Sequence, residues 1–278
     1  MCPLEAYNGG CQHGYFEYVL GRTGSETEAA DLICSSLDES FSSKFRFYCY
    51  HGVGHGVMMA QAYDLEGSLS VCDSFSEKYR IEGCWQGVFM ENVNAAMRGQ
   101  ARAGIFSEEN PLKPCDKTED KYRYQCFINH AGWLMKVFKN DIGKASLSCL
   151  AAPAAYVNSC LQSLGLMVSN PSWQGQILKR PLDKGTNELA AEICLKFPPA
   201  YVDQCVIGAV DNIMNFNELY AQEAAGFCTL VDEKYRHLCY EKIGSNLRNQ
   251  TNDSLLVARE CDILGKPGKD FCLKGAGL

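Results

Sequence analysis

Two histidines four residues apart, His51 and His55, stand in the stretch YCYHGVGHGVMM (48–59). On a helix, residues i and i+4 share a face, and imidazoles at that spacing are a recognised way to hold a transition metal. Three glycines, Gly52, Gly54 and Gly56, alternate through the same stretch. Each costs a helix about 1 kcal/mol relative to alanine, so something must offset roughly 3 kcal/mol. A phosphate-binding loop is disfavoured, because no strand precedes the stretch and the lysine of a P-loop is missing.

The elements that position these side chains are legible in the cysteines. Sixteen of them fall into eight successive pairs, from Cys2/Cys11, Cys34/Cys49 and Cys72/Cys84 through Cys115/Cys126, Cys149/Cys160, Cys194/Cys205 and Cys228/Cys239 to Cys261/Cys272. The second members recur every 33 to 45 residues, the mark of a stacked repeat. Runs such as AADLIC, KASLSC and LAAEIC precede the first cysteines, and apolar helical stretches such as CWQGVFMENV and CVIGAVDNIM follow the second. Each unit is therefore expected to be a helical hairpin. The first cysteine ends helix one, and the second lies a turn or more inside helix two. A disulfide between them would clamp the hairpin, worth about 2–4 kcal/mol for so short a loop. A reduced, thiol-lined metal store is the competing reading. Its cysteines should recur at one-turn spacings, which gaps of eleven residues fit poorly.

Aligned on the second cysteine, the units locate the chemistry. Two residues after it come His13, His51 and Gln86, and six residues after it come Glu17, His55 and Met90. Neighbouring helices pack about 8–10 Å apart, so His13, His51 and His55 are expected to converge, with His130 of the fourth unit as a further ligand. Glu17 and Glu91 are the expected acid/base groups, with Asn92 beside them. The set suits copper, zinc or iron, with copper favoured on the nearby Met58, Met59, Met90 and Met97. Such an ion could activate oxygen or water, an oxidoreductase before a hydrolase. Trp85, Trp133, Tyr15 and Phe89 would wall the pocket. The alternatives are a polar groove for a small-molecule or peptide ligand, structural hydrogen bonding by the histidines, and a non-catalytic scaffold holding a protein partner. Glycine three residues after the second cysteine recurs at Gly14, Gly52, Gly87, Gly208 and Gly275, and reads as close helix packing. Gly54 and Gly56 lie outside that series, which points to a ligand or a crowded pocket. His237 reads as a surface or capping residue, and Asp211, Asn212, Asn215 and Asn217 as a weaker polar patch.

The cysteine-paired hairpins resemble the tetratricopeptide and Sel1-like helical-repeat families, especially the cysteine-rich Sel1-like proteins. The resemblance implies a right-handed α-solenoid of seven to eight disulfide-clamped hairpins, and no particular function. The expected organisation is one helical-repeat domain over 1–278, with the site in about 1–140 and a capping scaffold in about 141–278. Two insertions, RGQARAGIFSEENPLKPC (98–115) and SNPSWQGQILKRPLDKGTN (169–187), read as loops.

A net charge of −7 without a Lys/Arg cluster argues against nucleic acid, which needs a basic patch. No run of about 18 apolar residues is present, so no membrane span is expected. So many paired cysteines imply an oxidising compartment, extracellular or periplasmic. The beginning of the chain, MCPLEAYNGG, lacks a signal-peptide pattern. Asn249 and Asn252 match the glycosylation acceptor.

Overall fold

The structure, a computed structural model, describes residues 14–16, 18, 20, 31, 34, 35, 37, 41–216 and 221–278. Among these the chain is all-α, without a strand. It divides into two compact units, Met1–Trp133 and Leu134–Leu278.

In the first unit the long helices are α1 (Ser43–Ala60) and α3 (Lys78–Met97), joined through α2 (Leu65–Cys72). The Ser42 hydroxyl caps α1 by accepting from the Phe45 N–H at 3.1 Å, and Asp64 caps α2 by accepting from Gly67. α3 also packs on α4 (Asp120–Ile128). α5 (Ala131–Val137) crosses the division between the units.

The second unit holds two rows of helices. The first helices of successive hairpins are α6 (Ile142–Cys149), α9 (Thr186–Cys194), α11 (Ala221–Leu230) and α13 (Ser254–Asp262). The second helices are α7 (Val157–Val168), α10 (Val202–Phe216), α12 (Glu233–Gln250) and α14 (Gly268–Ala276). α7, α10, α12 and α14 pack in sequence, and α9, α11 and α13 do likewise. This is the stacked order that the cysteine spacing predicts.

Seven of the eight expected pairs are disulfides with Cα–Cα distances of 5.4–5.7 Å. The Cys2/Cys11 pair lies outside the described residues. No described cysteine is free, which sets aside the reduced thiol store.

Three local expectations change. Cys115 does not end a helix, because 98–119 is a strap of turns and the fourth unit has no first helix. The expected long helix after Cys126 breaks at Asn129 and His130, where the Asn129 amide donates to the Gln125 carbonyl at 2.7 Å and competes with the backbone ladder. The second insertion is not all loop. Residues Pro171–Leu178 form a helix, α8, capped by Asn170 with Pro171 in its first turn, a favoured start.

The glycines divide the stack into doublets. A Cβ on Gly87 would collide with the His51 carbonyl, one on Gly208 with that of Gln162, and one on Gly275 with that of Glu241. In return, Gly54, Gly165 and Gly244 abut the carbonyls of Cys84, Cys205 and Cys272. Glycine five residues after the second cysteine of one unit thus crosses glycine three residues after that of the next. The pairs α1/α3, α7/α10 and α12/α14 are in backbone contact. Gly56 meets Phe16 and Leu20 of the preceding helical segment. Close packing therefore accounts for Gly54 and Gly56, and no ligand is needed to explain them. Among the described residues nothing lies within 4 Å of a Cβ added at Gly14, which leaves it out of the packing series.

Candidate functional site

The crossing of α1 and α3 brings His51 and His55 face to face with Gln86 and Glu91. Both histidines are buried, at 1% and 2% exposure. Their Nε2 atoms are 3.1 Å apart, and the rings are tilted by 56°. The Nδ1 of His51 lies 2.9 Å from the Gln86 Oε1, and the Nδ1 of His55 lies 3.2 Å from a Glu91 carboxylate oxygen. The other Glu91 oxygen accepts from Arg98. Burial pushes the Glu91 carboxyl up, but hydrogen bonds and charge from His55 and Arg98 outweigh it and hold the group below its ordinary range.

The Glu91 contact fixes one tautomer: an ionised carboxylate only accepts, so the Nδ1 of His55 carries a hydrogen, and in the neutral ring its Nε2 accepts. The Gln86 amide can turn either its oxygen or its nitrogen to His51, so the two Nε2 atoms at 3.1 Å are bridged either by the hydrogen of a His51 Nε2–H or by a shared cation, a proton or a metal ion. With a zinc–nitrogen bond of about 2.0–2.1 Å, that separation suits two adjacent ligands on one ion, at an angle of about 100°.

The sister doublets act as internal controls. Where the first doublet has His51, His55 and Glu91, the doublet α7/α10 has Gln162, Leu166 and Asn212. In α12/α14 the first two positions are Glu241 and Ser245. The same glycine crossing therefore forms without imidazoles or a buried carboxylate, so the fold does not require them.

The remaining expected residues fall out differently. His13 and Glu17 lie outside the described residues. His130 is fully buried elsewhere in the first unit, beneath the 98–119 strap. Its Nε2 lies 2.7 Å from the Pro111 carbonyl, and its ring stacks on Phe106. Its Nδ1 has no partner. Burial pushes its pKa down to about 4, against opposing effects of the Pro111 hydrogen bond and the Asp116 charge. Glu91 stands behind His55, on its Nδ1 side. Asn92 is 1% exposed, and neither of its side-chain polar atoms has a partner. Met58 is buried, whereas Met90 and Met97 are exposed. Trp85 donates to Asp73, and Trp133 packs on Phe106. His237 is half-buried against Phe271. Asp211 pairs with Lys242 and Asn246, and Asn212 donates to Ser169, so these two lie in cross-helix bonds. Among the described residues, no group of three or more His, Cys, Asp or Glu is placed to hold an ion.

Compared with protein-family models, curated proteins and solved structures, the chain gives no match. The likeness to Sel1-like and tetratricopeptide repeats is one of architecture alone. Gln86 is the site residue that the sequence reading did not single out. It stands two residues after Cys84, where His51 stands after Cys49, and that shared register was the available signal.

Proposed function

We propose that this chain binds a transition-metal ion in a closed site between its second and third hairpins, with the Nε2 atoms of His51 and His55 as ligands. The observation that carries this reading is the pair of facing Nε2 atoms at 3.1 Å, each with its Nδ1 already engaged. By sequence register in the repeat, His13 and Glu17 are the further ligands this reading calls on. Copper, zinc and iron all suit imidazole donors. With both histidines almost without solvent contact, the site favours holding an ion over turning over a substrate, which needs an open coordination position. The disulfides fit an oxidising compartment, extracellular or periplasmic, and no described helix is long and apolar enough to cross a membrane.

Elemental analysis of protein purified under metal-replete conditions tests this. The expected result is near one equivalent of copper, zinc or iron, lost in the His51→Ala/His55→Ala double variant. Metal-free wild-type protein would overturn it.

The scaffold reading is favoured by a different observation. A groove of ≈ 550 Å³ in the second unit is lined by Leu195, Val202, Val206 and Leu230 together with the charged Lys184, Glu188, Glu192 and Asp232, with Leu195 71% exposed. A partner segment carrying both aliphatic and charged side chains would fit it. Metal-free wild-type protein would make this the leading reading.

A further inference from the structure

We infer that Glu91 is the positioning residue of the histidine pair: anchored by Arg98, it locks a hydrogen onto the Nδ1 of His55 and so makes Nε2 the lone-pair nitrogen that this ring turns toward His51. Glu91 is 3% exposed, and one of its oxygens lies 3.2 Å from His55. Arg98, at the end of α3, holds the other oxygen, and Asn94 donates to the first at 3.5 Å. A buried carboxylate is costly unless it is paired and hydrogen-bonded, and here both oxygens are engaged. The equivalent position in the α7/α10 doublet is Asn212, so the helix crossing does not call for a charge there. A carboxylate can only accept, whereas an amide can turn its NH2 toward the ring and drive the hydrogen to Nε2. On the Nδ1 of His51 the Gln86 amide stands in this role. The two histidines are therefore unequal, and His55 is the one whose tautomer is fixed. The consequence for metal affinity rests on the proposal above, but the tautomer lock does not.

Two measurements on Glu91→Gln separate these claims. Proton–nitrogen correlation spectra of the metal-free protein read the tautomer of each histidine. Competition with a chromophoric chelator reads zinc affinity. In the wild type, His55 is expected to carry its hydrogen on Nδ1. In Glu91→Gln it should populate both tautomers, and zinc affinity should fall about 10- to 100-fold, the usual effect of losing such an orienting partner. An unchanged His55 tautomer in the variant would overturn the lock, whether or not zinc binds. A changed tautomer in a protein whose wild type takes no zinc in this competition and holds no copper or iron on elemental analysis would leave the lock standing and overturn the metal reading. A changed tautomer with unchanged zinc affinity would overturn the lock's role in binding. If Glu91→Gln does not fold, Arg98→Gln removes the anchor from a partly exposed position. It should move the same two readouts in the same direction, and no movement would overturn the inference.

Discussion

His130 makes the sharpest pH prediction in the molecule, because the strap that covers it gives its ring nitrogens one hydrogen-bond acceptor, the Pro111 carbonyl. The Pro111 carbonyl takes the hydrogen on Nε2, so a second proton would have to enter at a fully buried Nδ1 that has no partner. Asp116 is the charge that faces it, and that attraction is smaller than the cost of burial, which holds the ring near 4 instead of 6.5. The native pKa is therefore depressed below that of the unfolded chain. As pH falls from about 6.5, the unfolded chain takes up a proton that the native state excludes. Stability is lost through that window and levels off below the native value. The loss at pH 4 should be about 3 kcal/mol relative to pH 7. Urea midpoints at the two pH values, for wild type and His130→Gln, check this. The glutamine can still donate to Pro111 but does not titrate. A wild-type loss no larger than that of the variant would show that the ring tolerates its second proton.

At the scale of elements, the glycine crossings decide which hairpins are bound most tightly, and they make opposite predictions for similar substitutions. Gly208→Ala places a Cβ against the Gln162 carbonyl and the backbone of Gly165. Backbone on both sides cannot move aside as a side chain can, so the variant should lose at least about 1–3 kcal/mol. Gly175, within α8, has nothing within 4 Å of a built Cβ, and Gly175→Ala should gain up to about 1 kcal/mol from helix propensity. Urea denaturation of both variants checks the pair, and equal effects would refute the doublet. Much of this level was legible in the sequence. The cysteine spacing located the hairpins because each disulfide must join neighbours, and His51 and His55 shared a face because helical periodicity puts them there. The role of Gly54 was hidden because its partner, Gly87, lies in another unit at a different offset from the cysteine. Glu91 could be placed near the groove, but periodicity does not say which ring nitrogen a carboxylate from the next helix will reach. The lost first helix before Cys115 was obscured by a cysteine spacing that stays regular although the helix does not form. The capping signal of Asn170–Pro171 was present, but it was outweighed by the Gly- and Pro-rich composition around it.

For the whole molecule, the consequence of local cross-links is a graded response to losing one. Within Leu134–Leu278 the disulfides Cys149–Cys160, Cys194–Cys205, Cys228–Cys239 and Cys261–Cys272 each span a sequence separation of 11, so each restrains only its own hairpin. Closing a loop of that size stabilises by about 2–4 kcal/mol, against a usual domain stability of about 5–15 kcal/mol. Removing one bridge is therefore survivable, and removing all of them is not. In a stack where each repeat touches its neighbours, a defect weakens with distance along the row. Cys149→Ala/Cys160→Ala should raise hydrogen exchange most in α6 and α7. The rise should be smaller in α10, which crosses α7 at Gly165 and Gly208, and least in α14. Reduction of every bridge by excess thiol should abolish the slow-exchanging amides throughout the unit. Exchange mapped by peptide fragments distinguishes the two patterns. A uniform rise from α6 to α14 after loss of the single bridge would mean that the unit opens as one cooperative body, and that the cysteine pairs set its total stability without dividing it among the hairpins.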